Sequence, residues 1–397
     1  MIRLLATLAF AACALAPATR AFASRPLAQP YQMVRSLRIL QDQVAAGKTD
    51  ALPLLRLLLL RIGDEFRDVD AQAWTKPRNQ FAAVTYLLNG GNPDAVRAAL
   101  GTKGSAPELA ALFKGAFAYS DGDTATMLKA FGDLHPSDLP FDLIDSVYLV
   151  SAAPLAESDP LTALDRLDHV RLTAPGTLLE EAAIRRSLGL AGRLGKTHEL
   201  RLLARNYLTR FGSSPFRRDF AVQLCAGIIR LGGKITDAGI AEIGDLAAPE
   251  ERLEFYLQLA RSSLLAGQPA RARFAADRAS ALAAELGSGA VEANLYAQIG
   301  DATGPDVRRA AAELSATPRG ELAPADAALL QAALTVAAQI LREPASGASG
   351  AVAVPGNGPE VEDTPARQAE QNAFALTMAG AKQALAEADR LLAGDSR

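Results

Sequence analysis

The sequence is poor in the residues that usually build catalytic and metal sites. It has two cysteines and three histidines, and His135, His169 and His198 lie in separate segments. No HExxH motif, cysteine pair or GxSxG motif occurs, so neither a zinc site nor a hydrolase nucleophile has its usual residues. We therefore expect no metal, no cofactor and no catalytic residues.

Aromatic residues and strand-like patterns are also scarce. Aromatics make up 6% of the chain, and no run of Val, Ile, Thr and Tyr alternates with polar residues. Long stretches consist of Ala, Leu and Arg, which lose little side-chain freedom in a helix. With 49% apolar and 21% charged residues, the composition is that of a soluble globular protein, and it predicts an all-α fold.

The N-terminus has the pattern of a secretory signal peptide. Arg3 precedes an apolar stretch over residues 4–16, and Ala21-Phe22-Ala23 has the small–x–small form of a cleavage site. About a dozen apolar residues are too few for a stable membrane span. We predict a signal peptide over residues 1–23, cut between Ala23 and Ser24, and export to the periplasm.

The two cysteines bear on this prediction in different ways. Cys13 allows the alternative of a lipoprotein signal, although Phe10 stands where such signals carry a Leu-like residue. Removal of the signal peptide would leave Cys225 as the single cysteine, so no internal disulfide could form. The apolar helical context of Cys225 predicts a small buried side chain rather than a reactive thiol.

The charge pattern limits the classes of partner. The net charge is −3, and no basic block occurs anywhere in the chain. Nucleic acid and anionic membrane surfaces are therefore not expected as partners. We also predict no direct membrane span and expect the partner to be a protein.

Glycine followed by a polar residue recurs where helical patterns end. Such a glycine ends one helix with a left-handed cap and lets the next begin at once. The spacing is close to the length of tetratricopeptide repeats. The pairs are Gly47-Lys48, Gly91-Asn92, Gly122-Asp123, Gly195-Lys196, Gly233-Lys234, Gly267-Gln268 and Gly300-Asp301.

These recurring glycine turns predict an array of stacked helical hairpins, an α-solenoid. Residues 254–286 form the clearest unit, with Ala272 and Ala279 placed where two helices can approach closely. Residues 184–215 are a weaker copy. We predict one helical repeat domain over residues 24–342, with irregular hairpins over 30–160 and tetratricopeptide-like repeats over 161–342.

Two stretches interrupt the helical pattern. Residues 132–160 contain four prolines and predict structured loops around a short helix. Residues 343–365 are rich in Gly, Pro and Ser and predict a flexible linker. Residues 366–397 then predict a C-terminal helix that either caps the array or docks on a partner. The four prolines are Pro136, Pro140, Pro154 and Pro160.

Two motifs resemble parts of enzyme sites. GLAGRLGKT, residues 189–197, has Leu190 where a phosphate-binding loop requires its first Gly, and no strand precedes it. Glu157-Ser158 is the dipeptide of peptidoglycan-cleaving lytic enzymes with helical superhelices, but Asp159-Pro160 follows it and the downstream Gly- and Gln-containing motif is absent. A cell-wall lytic enzyme remains an alternative, and the sequence favours a protein that is not an enzyme.

Two N-terminal segments are more specific than the rest of the chain. They are PYQMVRSLRILQDQVAAGKTDALPLLRLLL, residues 30–59, and PRNQFAAVTYLLNGGNPDAV, residues 77–96. Helical periodicity explains their apolar stripes but does not explain Pro30–Met33 or Gly90–Pro93. Together the segments resemble the periplasmic motility protein C (MotC) family of alphaproteobacteria. That family has a Pro-Tyr-Gln-Met start, a Leu/Gln-rich helix, a Gly turn, Arg-Asn and Gly-Gly-Asn-Pro in the same order.

The resemblance implies an exported, non-enzymatic component of the flagellar motor that associates with the periplasmic part of the stator protein MotB. Such a protein supports motor rotation or its control. The family offers no motif of binding residues. Our candidates for partner contact are Tyr31, Arg35 and Arg38 on the first helix, since Arg is frequent at binding hot spots. A generic tetratricopeptide-like assembly factor of the periplasm remains an alternative.

Overall fold

The computed structural model describes residues 28–101, 104–302 and 304–342. Over these ranges the chain forms seventeen α-helices and no strand, which confirms the all-α prediction. The helices are α1 (Pro30–Ala45), α2 (Ala51–Asp68), α3 (Pro77–Leu88), α4 (Pro93–Leu100), α5 (Ala110–Ser120), α6 (Thr124–Gly132), α7 (Phe141–Ser158), α8 (Pro160–Thr173), α9 (Leu178–Arg193), α10 (Thr197–Arg210), α11 (Arg217–Leu231), α12 (Asp237–Gly244), α13 (Pro249–Leu265), α14 (Pro269–Glu285), α15 (Val291–Asp301), α16 (Val307–Ala316) and α17 (Pro324–Leu341).

Proline and capping side chains determine where many of these helices begin. The helices α1, α3, α4, α8, α13, α14 and α17 have Pro in the first turn, where its missing N–H costs no hydrogen bond. Asn92, Asp123 and Asp159 cap α4, α6 and α8, and the side-chain oxygen of each accepts a backbone N–H of the first turn.

The helices form the predicted repeat array. Residues 254–286 lie in the hairpin of α13 and α14, in which Ala272 and Ala279 are fully buried. Residues 184–215 cover most of α9 and all of α10, which are joined by a turn at Gly195. The helical repeat array is therefore confirmed, and the finer likeness to tetratricopeptide repeats stays a prediction.

Buried apolar side chains form three clusters along the array. The first cluster spans α1 to α7 and centres on aromatic residues, with the Phe66 ring 5.1 Å from Trp74 and 5.0 Å from Tyr86. The second joins α7, α8 and α9, and the third runs from α9 to α17. Each cluster draws side chains from several helices, because one hairpin cannot bury its apolar face alone. Cys225 lies in the third cluster and is 1% exposed, and burial raises the pKa of its thiol.

The expectation of structured loops around a short helix holds over residues 133–140, which contain the short 3-10 helix Pro136–Asp138, and is wrong for the rest of residues 132–160. A single helix, α7, runs from Phe141 to Ser158 and contains Pro154 near its end. Leu143, Ile144 and Val147 are buried at helical spacing. Proline inside a helix costs about 3 kcal/mol, and burying three large apolar side chains contributes more than that, at roughly 1.5–3 kcal/mol each.

Three of the glycines predicted to end helices in a left-handed turn also need correction. The left-handed residues are Gly90 and Gly232 rather than Gly91 and Gly233. Gly91 is required for a different reason, since a Cβ there would lie 2.4 Å from the Tyr86 ring. Gly300 is the penultimate residue of α15 and marks no turn. The turns at Gly47, Gly122, Gly195 and Gly267 are as predicted.

The end of α1 touches the middle of the array. Gly47, with φ +86°, lies against the α10–α11 loop, and a Cβ on it would come within 2.6 Å of Ser213 Cβ and 2.9 Å of Ser213 O. Ala45 belongs to the third apolar cluster, whereas Met33, Val34 and Leu37 belong to the first. One helix therefore supplies side chains to two separate cores.

Several predictions concern residues outside the described ranges. These are the signal peptide over residues 1–23 with its cleavage between Ala23 and Ser24, the linker over residues 343–365 and the helix over residues 366–397. The predicted division at residue 160 lies at the turn between α7 and α8.

Among the described helices, α17 is long and apolar enough to cross a bilayer by length and composition, and one such helix is weak evidence of a span. It contacts α15 and α16, and its Leu330, Ala333 and Ala337 are buried. Its Asp326 is 7% exposed and accepts hydrogen bonds from Tyr296 Oη at 2.9 Å and Arg261 Nε at 3.2 Å. Such contacts are typical of a helix within a repeat array.

The contact between α9 and α11 generates a test of the packing. A Cβ on Gly192 would lie 2.4 Å from Gly227 O and 2.6 Å from Gly227 Cα, so the two backbones must separate. We expect Gly192→Ala to lower the free energy of unfolding by about 1–3 kcal/mol, measured by urea denaturation.

Gly189→Ala, in the same helix, is the matched control. A Cβ on Gly189 would meet only the ends of Arg230 and Gln223, both at 3.5 Å. This variant should be neutral or more stable by about 0.5–1 kcal/mol, because Ala favours the helix. Equal effects of the two substitutions would contradict the close approach.

Candidate partner-binding groove

The first turn of α1 is held by its own side chains. Gln29 and Gln32 form a capping box, in which the Gln29 backbone N–H donates to Gln32 Oε1 at 2.8 Å. Pro30 occupies the first helical position and is buried. The residues that helical periodicity left unexplained in this stretch thus define where α1 begins.

Asn79 joins this turn to the start of α3. It is 1% exposed, and its Nδ2 donates to Gln29 Oε1 at 3.1 Å and to Ala73 O at 2.8 Å. Its Oδ1 accepts the Tyr31 backbone N–H at 3.4 Å. The Pro-Tyr-Gln start and the Arg-Asn pair, which are separated by almost fifty residues, therefore meet through one buried amide.

A surface groove of about 300 Å³ opens where α1, α3 and the start of α7 meet. We call it the arginine groove. Tyr31, Arg35 and Arg38 line it from α1 at helical spacing, so the three predicted contact residues share one cavity. Its other lining residues are Val34 of α1, Arg78, Phe81, Ala82 and Thr85 of α3, Pro140, and Asp142 and Leu143 of α7.

Arg38 is neutralised by a carboxylate. Its guanidinium forms an ion pair with Asp142 in the first turn of α7. Burial lowers the pKa of Arg38, and the charges of Asp42 and Asp145 oppose that shift. An Arg side chain stays protonated under these influences. Burial also raises the pKa of Asp145, which accepts a hydrogen bond from Thr173 Oγ1 at 2.5 Å.

Arg35 and Arg78 have no such partner. Neither makes an ion pair with any residue in the described part of the chain, and both side chains are exposed. The Arg78 Cζ lies 3.6 Å from the centroid of the Tyr31 ring, a cation–π contact that orients the guanidinium. The groove thus contains two free cations, and one of them is held in place.

The sequence indicated only part of this groove. Tyr31, Arg35 and Arg38 were candidates, and their role in binding stays a prediction. Arg78 lies in one of the two specific segments, but nothing in the sequence indicates that it stacks on Tyr31. Asp142 lies in the stretch expected to be a loop, so its pairing with Arg38 could not be foreseen.

The Gly-Gly-Asn-Pro motif has a local structural explanation. Gly90 has a left-handed backbone conformation, and the backbone of Gly91 packs directly against the Tyr86 ring, where a side chain would not fit. The Asn92 backbone N–H donates to Tyr86 Oη at 2.9 Å, while Pro93 begins α4. The motif fits α4 against a buried tyrosine.

The other chemical candidates are placed apart from one another. Glu157 is at the end of α7 with 87% of its side chain exposed, and its carboxylate lies 3.2 Å from Arg193 Nη1. GLAGRLGKT forms the end of α9 and the turn after it. His169 packs against the Tyr148 ring. In the described ranges no three His, Cys, Asp or Glu residues are grouped as metal ligands would be.

The buried amide of Asn79 generates a test. Asn79→Ala removes its hydrogen bonds and leaves Ala73 O without its side-chain donor. We expect the free energy of unfolding to fall by about 1–3 kcal/mol in urea denaturation. Arg78→Gln, one residue earlier, removes only an exposed cation–π contact and should cost about 0.5–1 kcal/mol or less. A larger loss for Arg78→Gln would contradict this assignment.

The whole chain matches a known protein family. The family model described as chemotaxis protein MotC matches residues 1–397. The chemotaxis protein MotC of Rhizobium meliloti (strain 1021) is 33% identical over 317 residues, which cover 79% of this chain and 73% of the relative. No solved structure matches the chain. The chain belongs to the MotC family of motility- and chemotaxis-related proteins.

Proposed function

We propose that this protein is an exported, non-enzymatic scaffold of the flagellar motor that binds the periplasmic part of the stator protein MotB and supports rotation. The arginine groove is the proposed contact site. The observation that carries the proposal is that Tyr31, Arg35, Arg38 and Arg78, which all lie in the two segments that resemble the motility family, line one exposed groove. A repeat array offers such surfaces without needing catalytic residues.

The alternatives have less support. A lytic enzyme needs an acid held against its substrate, whereas Glu157 is exposed and paired with Arg193. A generic periplasmic assembly factor would fit the fold equally well, but family membership and the name of the relative favour motility.

Export generates the first test. If residues 1–23 are a cleaved signal peptide, the protein in a periplasmic fraction should begin at Ser24. Intact mass and N-terminal sequencing of that protein measure the cleavage. A protein found only in the cytoplasm with residues 1–23 intact would refute export, and a lipidated Cys13 would favour the lipoprotein alternative.

Motility generates the second test. Deletion of the gene should abolish spreading in soft agar while flagellar filaments remain visible by electron microscopy, and the wild-type chain should restore spreading. The purified periplasmic part of MotB should bind the protein in a pull-down. Normal swimming of the deletion strain would refute the proposal.

Glu157→Gln separates the scaffold from the lytic enzyme. Under our proposal this variant restores swimming as well as the wild type, because Glu157 is a surface residue. Loss of both swimming and a measured wall-lytic activity in the variant would instead support the enzyme.

A further inference from the structure

We infer that the arginine groove takes a carboxylate-bearing segment of a partner protein, with the carboxylate between Arg35 and Arg78 and an apolar neighbour on the groove floor. This inference rests on the proposed function and names the chemistry of the partner. It also makes a claim about the groove that can be tested without MotB.

The lining of the groove carries a net positive charge. Three arginines and one aspartate line the groove, and the aspartate is engaged by Arg38. Arg35 and Arg78 therefore present uncompensated positive charge, within the part of the chain that the structure describes. The whole chain is net negative, so this local charge is opposite to that of the molecule. A carboxylate is the protein group that matches guanidinium donors, and it can accept two hydrogen bonds from one Arg.

The Arg78 side chain is preorganised for binding. Arg78 rests on Tyr31 at 3.6 Å, and the Tyr31 backbone N–H is bonded to buried Asn79. A side chain that is already oriented loses less conformational freedom on binding. The contact to Tyr31 thus favours Arg78 as an anchor over exposed arginines that lack so close an aromatic contact.

The floor of the groove determines the size and polarity of the neighbouring group. Val34, Ala82 and Leu143 are buried, and Phe81 is half-buried beside them. The volume of about 300 Å³ accommodates a few side chains rather than a whole helix. An acidic residue next to a small or medium apolar residue fits both the two free cations and this floor.

A membrane surface fits the groove less well. An anionic bilayer is flat and is bound by clusters of several basic residues, whereas two free arginines here line a concave cavity with an apolar floor. We therefore argue for an acidic protein segment and treat anionic lipid as an outcome of the test.

The test uses the protein purified from the periplasm and a fluorescent peptide in which Glu alternates with Ala and Leu. The matched probe has Gln in place of each Glu. We expect binding of the Glu peptide, at least tenfold weaker binding of the Gln peptide, and weakening of the first as salt rises. The variant Arg35→Glu/Arg78→Glu should bind the Glu peptide at least tenfold more weakly than the wild type.

Arg205→Glu/Arg218→Glu is the matched control. Both residues are exposed on the middle of the array, and neither has an ion pair among the described residues. This variant changes the net charge by the same amount and should bind like the wild type. The circular dichroism of both variants should match that of the wild type and both should unfold cooperatively, with the midpoint of Arg35→Glu/Arg78→Glu lowered by no more than a few degrees because the contact of Arg78 with Tyr31 is lost.

The outcomes separate this inference from the proposed function. Peptide binding through Arg35 and Arg78 without binding of MotB would support the groove chemistry and refute MotB as the partner. Equal binding of the Glu and Gln peptides, or equal loss in both double variants, would overturn the inference even if MotB binds. Binding of phosphatidylglycerol vesicles, but not of the Glu peptide, would overturn it in favour of a lipid surface.

Discussion

The structure depends on helices that bury one another by close approach. No hairpin of the array has enough apolar surface to form its own core, so each must find a neighbour. Small residues make this possible, as at Gly192 and Gly227, where two backbones touch, and at Ala272 and Ala279 in the α13–α14 hairpin.

The sequence predicted the fold class well because helical periodicity and turn glycines are local signals. The prediction fails at α7, where the proline pattern indicates loops but the apolar spacing of Leu143, Ile144 and Val147 produces a helix that contains Pro154. It also misplaced Gly91, which is a packing glycine rather than a turn glycine. The two failures have different causes: the apolar spacing of α7 is present in the sequence and outweighs its proline, whereas the contact of Gly91 with the Tyr86 ring is one that periodicity does not contain.

The candidate groove could likewise be predicted from the sequence only in part. The residues on α1 could be proposed from one helix, but Arg78 and Asp142 reach the groove from helices whose placement depends on the fold. The Pro-Tyr-Gln and Arg-Asn motifs, which carried the resemblance to the motility family, meet at Asn79. The same segments that mark the family therefore also shape the groove and orient Arg78.

The packing of Gly47 against Ser213 has a mechanical consequence. In a solenoid without such a contact, force applied to the first hairpin would reach the middle of the array only through each intervening hairpin. Such an array could extend elastically. Here α1 starts in the groove and ends against the α10–α11 loop, so tension applied at Tyr31 reaches the middle along the backbone of one helix. The packing of Gly47 on Ser213 therefore braces the N-terminal half against stretching.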